Sequence, residues 1–95
     1  MTMLVIKMRV ADFEQWKPVF DQMAEVRKEH GCRRHWVYRG AEDPNQVVAS
    51  TEWPSHESAR AFLSDPRLTE AMQRAGVVGQ PELMWVGDEV DSTEY

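Results

Sequence analysis

The feature that most restricts this chain is the order in which its hydrophobic spacing changes. From Met3 to Val10, the apolar set Leu4, Ile6, Met8 and Val10 alternates with Met3, Val5, Lys7 and Arg9. That period of two belongs to a strand with one fully apolar face and one mixed face. Asp12 then caps a stretch in which Phe13, Trp16, Phe20, Met23 and Ala24 recur by threes and fours, which is helical spacing. Pro18 lacks a backbone donor, so the reading is a short opening turn through Trp16 and a regular helix from about Lys17 to His30. Lys28 and His30 suit the negative end of that helix, and Gly31 supplies its stop.

Strand character returns at Cys32–Arg39, which holds His35, Trp36, Val37 and Tyr38, and again at Gln46–Trp53. The turn-forming residues Gly40 to Asn45 lie between them, so the two runs make a hairpin. Pro54 ends it. Ser55 is an N-cap with Glu57 in the first turn, and Ala59, Phe62 and Leu63 mark the buried side of the helix that follows. Asp65 and Pro66 restart the helix as cap and first residue, with Leu68, Ala71, Met72 and Ala75 inward until Gly76. A loop over 76–81 leads to a last strand at Glu82–Val86. Strand, helix, strand, strand, helix, strand predicts an α+β domain: a four-stranded antiparallel sheet with both helices on one face.

Residues 1–87 are read as that single domain and 88–95 as an acidic tail. The stretch from Gly87 carries Asp88, Glu89, Asp91 and Glu94 without a base, which accounts for all but one of the net charge of −5. The nearly neutral body offers no basic patch for nucleic acid. The N-terminal apolar run is too short for a signal or a membrane span, so a cytoplasmic protein is expected. Cys32 is the only cysteine, which rules out an internal disulfide.

Helices can cover only one face of such a sheet. On the hairpin, however, Arg34, Trp36 and Tyr38 share one face while Arg33, His35, Val37 and Arg39 share the other. Val47, Ala49, Thr51 and Trp53 likewise oppose Val48, Ser50 and Glu52. Apolar side chains on both sides call for two covers. A chain of 95 residues with four Trp, three Phe, two Tyr and six Met finds the second cover most simply in another copy of itself, so a homodimer is expected.

These segments resemble the dimeric α+β barrel superfamily, which has the ferredoxin-like strand order, and within it the antibiotic-biosynthesis-monooxygenase-like and small polyketide-cyclase-like proteins. The resemblance rests on Val10-Ala11-Asp12-Phe13 with Trp16-Lys17, on Val37-Tyr38-Arg39 and Glu42-Asp43-Pro44-Asn45, on Ser64-Asp65-Pro66-Arg67-Leu68 with Ala71-Met72, and on Ala75–Gly79 with Pro81-Glu82. It implies a ligand cavity between sheet and helices. It also implies cofactor-independent oxygenation or cyclisation of an aromatic, polyketide-like molecule, with no cofactor and no metal. Similar proteins often carry a His where this chain has Met8, so one acid–base group of theirs is missing here. Some relatives in the wider superfamily bind haem, and His56 is the one histidine placed for an axial position.

Cofactor-free oxygenation needs a base to form a substrate carbanion and donors to hold the developing oxyanion. The candidate proton acceptors are His35 and His56, with Tyr38 and Arg34 expected to bind substrate oxygens. Phe20, Met23, Trp36, Trp53, Phe62 and Trp85 are the expected apolar lining. Alternation already sends His35 to the face opposite Trp36 and Tyr38. The plainer reading makes Trp36 and Tyr38 sheet packing, His35 a dimer-face residue, and Arg34 the ion-pair partner of Glu52. His30, Cys32 and His35 match no metal-ligand spacing, Gly76 and Gly79 complete no phosphate loop, and the aromatic motif of an RNA-recognition sheet is missing. The alternative to an enzyme is a non-catalytic dimer that binds a small apolar ligand or is purely structural.

Overall fold

Alternation along the first strand sets the whole arrangement, because every other strand pairs with it directly or through one neighbour. The computed structural model describes residues Met1–Tyr95. Strands β1 (Thr2–Val10), β2 (Arg34–Arg39), β3 (Gln46–Trp53) and β4 (Val77–Val86) form one antiparallel sheet in the order β2-β3-β1-β4. Helices α1 (Phe13–Gln22), α2 (Ala24–Glu29), α3 (His56–Leu63) and α4 (Pro66–Arg74) supply the second layer. The predicted α+β architecture with one helix-covered face is therefore the one observed, the first helix as well as the second being divided in two.

The division of the first helix departs from expectation. The helix begins at Phe13, where the Asp12 carboxylate accepts the Glu14 N–H at 3.1 Å, so Trp16 lies within α1 rather than in an opening turn. Pro18 sits inside α1 without ending it. The interruption comes at Met23, whose N–H is shared between the carbonyls of Val19 and Phe20 at 3.2 Å each. The second break falls where the sequence placed it: Asp65 caps α4 through the Arg67 N–H and Pro66 is its first residue. The last strand is longer than expected. It starts at Val77, because a register shift against β1 between Lys7 and Arg9 takes up Gly79, whose φ is +72°.

Leu4, Ile6, Met8 and Val10 of β1 and Val47, Ala49, Thr51 and Trp53 of β3 are buried together with Trp16, Val19, Met23, Ala59, Phe62, Ala71 and Ala75. The core thus lies between the two middle strands and the helices. The helix layer is tied together at its edge. Asp65 sits 3.0 Å from His30 Nε2 and accepts from Arg67, which also reaches Glu29 at 2.7 Å. Arg67 first, and His30 after it, hold the Asp65 carboxyl well below the usual range.

Candidate functional site

Under the helices the small residues Ala49, Ala71 and Ala75 leave a cavity of about 60 Å³. Of its fourteen lining residues twelve are hydrophobic, among them Trp16, Phe20, Met23 and Phe62, and the other two are Thr51 and Arg27. It is smaller than the ~150 Å³ that accommodates benzene in a protein core. A ring can enter only if the walls yield, and Met8, Met23 and Met72 are the unbranched, readily repacked side chains that would allow it.

Thr51 is already committed: its hydroxyl donates to the Leu4 carbonyl at 3.3 Å and accepts the Trp53 indole N–H at 2.7 Å. Arg27 is not. It is 4% exposed, takes part in none of the ion pairs, and its Nη2 has no hydrogen-bond partner. Its guanidinium carbon lies 3.9 Å from the centre of the Phe20 ring, and that ring in turn stacks on Trp16 at 4.9 Å. Asp21, the one carboxylate that pulls on Arg27, is engaged with Lys17 at 2.8 Å. Loss of water holds Arg27 below its usual pKa, opposed by Cys32 and Asp21. A buried charge without a partner is destabilising by several kcal/mol, and a cation–ring contact offsets only about 2 kcal/mol.

Local sequence places Arg27 there. It falls on the line of Trp16, Phe20 and Met23, spaced four, three and four along the helical path, so the apolar stripe carries it inward. The end of α2 is then locked. Gly31 adopts φ +95°, its N–H bonds the Lys28 carbonyl at 2.9 Å, and the Cys32 N–H bonds the Arg27 carbonyl at 3.0 Å. This is the paired closure of a glycine-terminated helix. A side chain at Gly31 would meet Pro54 at 3.1 Å. Arg27 was not among the residues expected from the sequence, although a base on an apolar helical stripe was a signal that could have found it.

The residues that were expected divide into three groups. Phe20, Met23 and Phe62 line the cavity. Arg34, Trp36 and Tyr38 lie on the opposite face of the sheet, which corrects their expected place around it. Register decides this: Arg34, Trp36 and Tyr38 pair with Glu52, Ser50 and Val48, whereas His35 pairs with buried Thr51. His35 consequently points to the helix side, not to the bare face as the plainer reading had it. Its ring meets Phe20 edge-on at 5.0 Å. Partial removal from water, then Arg27 and Lys17, lower its pKa against a pull from Asp21. Arg34 approaches Glu52 at 3.6 Å and lies 4.8 Å over Trp36.

Trp53 and Trp85 form the third group. Trp53 is 0% exposed, tilted against Phe62 at 5.0 Å, and is part of the solid core rather than the cavity wall. Trp85 packs with His56 at 4.3 Å under Arg60. This pair stands by edge strand β4, three strand spacings from β2, or roughly 14 Å. His35 and His56 therefore cannot serve one substrate atom. No group of three or more His, Cys, Asp and Glu side chains comes together to hold a metal ion, and no helix is long and apolar enough to cross a membrane.

A second, larger hollow of about 290 Å³ lies on the bare face beside Met3, Arg34, Trp36, Glu52 and Val86. That face exposes Tyr38 (58%) and Met84 (57%), and no helix packs on it.

Residues 1–74 match the family described as antibiotic biosynthesis monooxygenase. Among solved structures the chain is similar to SnoaB, a cofactor-independent oxygenase from Streptomyces nogalater, with a TM-score of 0.74 and 19% identity over 96% of this chain and 97% of that one. It is also similar to Rv0793 from Mycobacterium tuberculosis, with a TM-score of 0.70 and 12% identity over 98% and 100%. A third similar structure is an antibiotic biosynthesis monooxygenase with a TM-score of 0.73 and 14% identity over 96% and 100%. Among curated proteins none matches the sequence. At these identities the structural likenesses speak for the fold.

Proposed function

The chain belongs to the antibiotic biosynthesis monooxygenase family, and from that premise we propose that it is a cofactor-independent monooxygenase acting on a small aromatic, polyketide-like molecule. The observation that carries this is the apolar cavity between sheet and helices, with Arg27 as its one unpartnered buried cation. An activated ring methylene next to a phenol or ketone can give up a proton, leaving a carbanion whose charge spreads onto the ring oxygen. The carbanion passes one electron to dioxygen, the radical pair joins as a C–O bond, and protonation gives a hydroperoxide. Loss of water then leaves a new carbonyl. One oxygen atom stays in the product, and the other leaves with the two methylene hydrogens as water. The protein's part is to exclude bulk water, accept the proton and stabilise the oxygen that gains charge.

His35 is the better placed acceptor. Its ring meets Phe20, a wall of the cavity, and loss of water before all else lowers its pKa, which favours the neutral form that a base requires. An oxygen electrode with a panel of anthrones, which carry such a methylene, tests the proposal. Uptake of one dioxygen per quinone formed is expected, slowed at least about tenfold in His35→Ala. Uptake no faster than buffer alone would remove the oxygenase reading.

One feature favours a second reading: no His, Asp or Glu lines the cavity itself. A non-catalytic binding protein would look the same, and tight ligand binding without oxygen uptake would select it. In either case we propose a homodimer joined across the bare sheet face, where Trp36, Tyr38, Val48, Met84 and Val86 lie. Light scattering at micromolar concentration should give twice the chain mass, and the mass of one chain would refute the pairing.

A further inference from the structure

From the cavity itself we infer that Arg27 is an anchor for an oxyanion, so that the ligand is an aromatic molecule bound as its phenolate or enolate. The inference rests on the cavity being the ligand site, which the oxygenase and binding readings share. Three observations meet at one residue. Arg27 lines the cavity and is nine-tenths and more buried, its Nη2 has no partner, and no carboxylate of the chain forms an ion pair with it. Its neighbour across the stack, Phe20, also lines the cavity and lies flat against Trp16. A planar ring entering there finds aromatic walls and a guanidinium N–H with nothing to donate to.

The chemistry of the lining narrows the ligand class. A carboxylate is met best by two parallel N–H donors, whereas Nη2 is the one buried side-chain donor of Arg27 left without a partner and the Thr51 hydroxyl is already engaged. A phenolate or enolate concentrates its need on one oxygen and spreads the remaining charge over an apolar ring. A neutral ring can offer Nη2 an acceptor oxygen but brings no charge to balance the guanidinium. The site therefore selects for acidity in the ligand as well as for size and flatness.

The test uses 4-nitrophenol, whose phenolate absorbs separately from the phenol, and 4-nitroanisole, its neutral methyl ether. On the wild-type protein, 4-nitrophenol should bind as phenolate, with the phenolate band growing at a pH where the free compound is still protonated, and 4-nitrobenzoate should bind more weakly. Arg27→Met should lose the phenolate band and at least about tenfold in 4-nitrophenol affinity, while 4-nitroanisole affinity changes by less than about threefold. Arg27→Lys, which keeps the charge, should retain the band, and circular dichroism of each variant establishes that it is folded. An unchanged band and affinity in Arg27→Met would overturn the anchor and leave the cavity standing as a ligand site. Failure of both ring probes to bind the wild-type protein would overturn the cavity as a ligand site and the anchor with it. Oxygen uptake is read separately and bears only on the oxygenase.

Discussion

Two arginines lie over aromatic rings on opposite faces of one sheet, and their surroundings make them different objects. Arg34 lies 4.8 Å over Trp36, within 3.6 Å of Glu52 and open to solvent. Such an exposed pair is worth ~0–1 kcal/mol. Arg27 lies 3.9 Å over Phe20, away from water, without a carboxylate. The bare face looks richer in functional groups when read as sequence, since it carries Arg34, Trp36 and Tyr38. The helix-covered face holds the stored electrostatic tension, in a single residue. Burial, not residue type, separates a surface ornament from a group that a ligand can relieve.

The sharpest way to break this comparison is through the tryptophans. Trp53→Ala should destabilise the fold by about 3–5 kcal/mol, because a fully buried ring leaves a cavity, whereas Trp36→Ala, measured by urea unfolding at a concentration where light scattering gives the mass of one chain, should cost less than about 1 kcal/mol. Equal losses would mean that the two faces are not packed differently. Next in size come two adjacent hydroxyls. Thr51→Val removes the acceptor of the Trp53 N–H and should cost about 1–3 kcal/mol. Ser50→Ala, one residue away on the bare face, should stay within about 0.5 kcal/mol.

The arginines themselves come third. Arg27→Met should raise stability by about 1 kcal/mol, because an apolar chain of similar length replaces a buried charge that has no partner. Arg34→Met should move it by no more than about 0.5 kcal/mol. A clear loss in thermal melts of the Arg27 variant would show that the fold already satisfies the Arg27 charge.

How far all this was legible in the sequence follows from which physical constraints are local. Element order was readable because period two and period three-to-four differ along Leu4–Val10 and Phe13–Met23. Capping by Asp12, Ser55 and Asp65 fixed where helices begin. The break at Met23 was not readable, since no glycine or proline marks it. For the hairpin, alternation separated Arg34, Trp36 and Tyr38 from His35 and Val37, but which set meets the helices depends on pairing with Thr51 and Glu52. That is a long-range register, and aromatic residues on both faces hid it. The cavity depends on how alanines of β3 and α4 face one another, which no single segment contains.

The smallest effect is the most specific to the comparison. His35 titrates below its ordinary 6.5, with Arg27 and Lys17 both contributing after partial loss of water. Its folded pKa is thus lower than its unfolded one, so the unfolded chain binds more protons as pH falls through 6.5, and stability falls with it. Arg27→Met removes one of the lowering influences. The His35 ring resonance, followed by NMR across that range, should then titrate closer to 6.5, and the acid-side loss of stability should shrink. Arg34 directly precedes His35 in the chain but lies on the other face, so Arg34→Met should leave the His35 curve where it was. If the curve instead moves with Arg34 and ignores Arg27, the sheet faces have been assigned the wrong way round, and the cavity cation cannot be one of the neighbours that lower the His35 pKa.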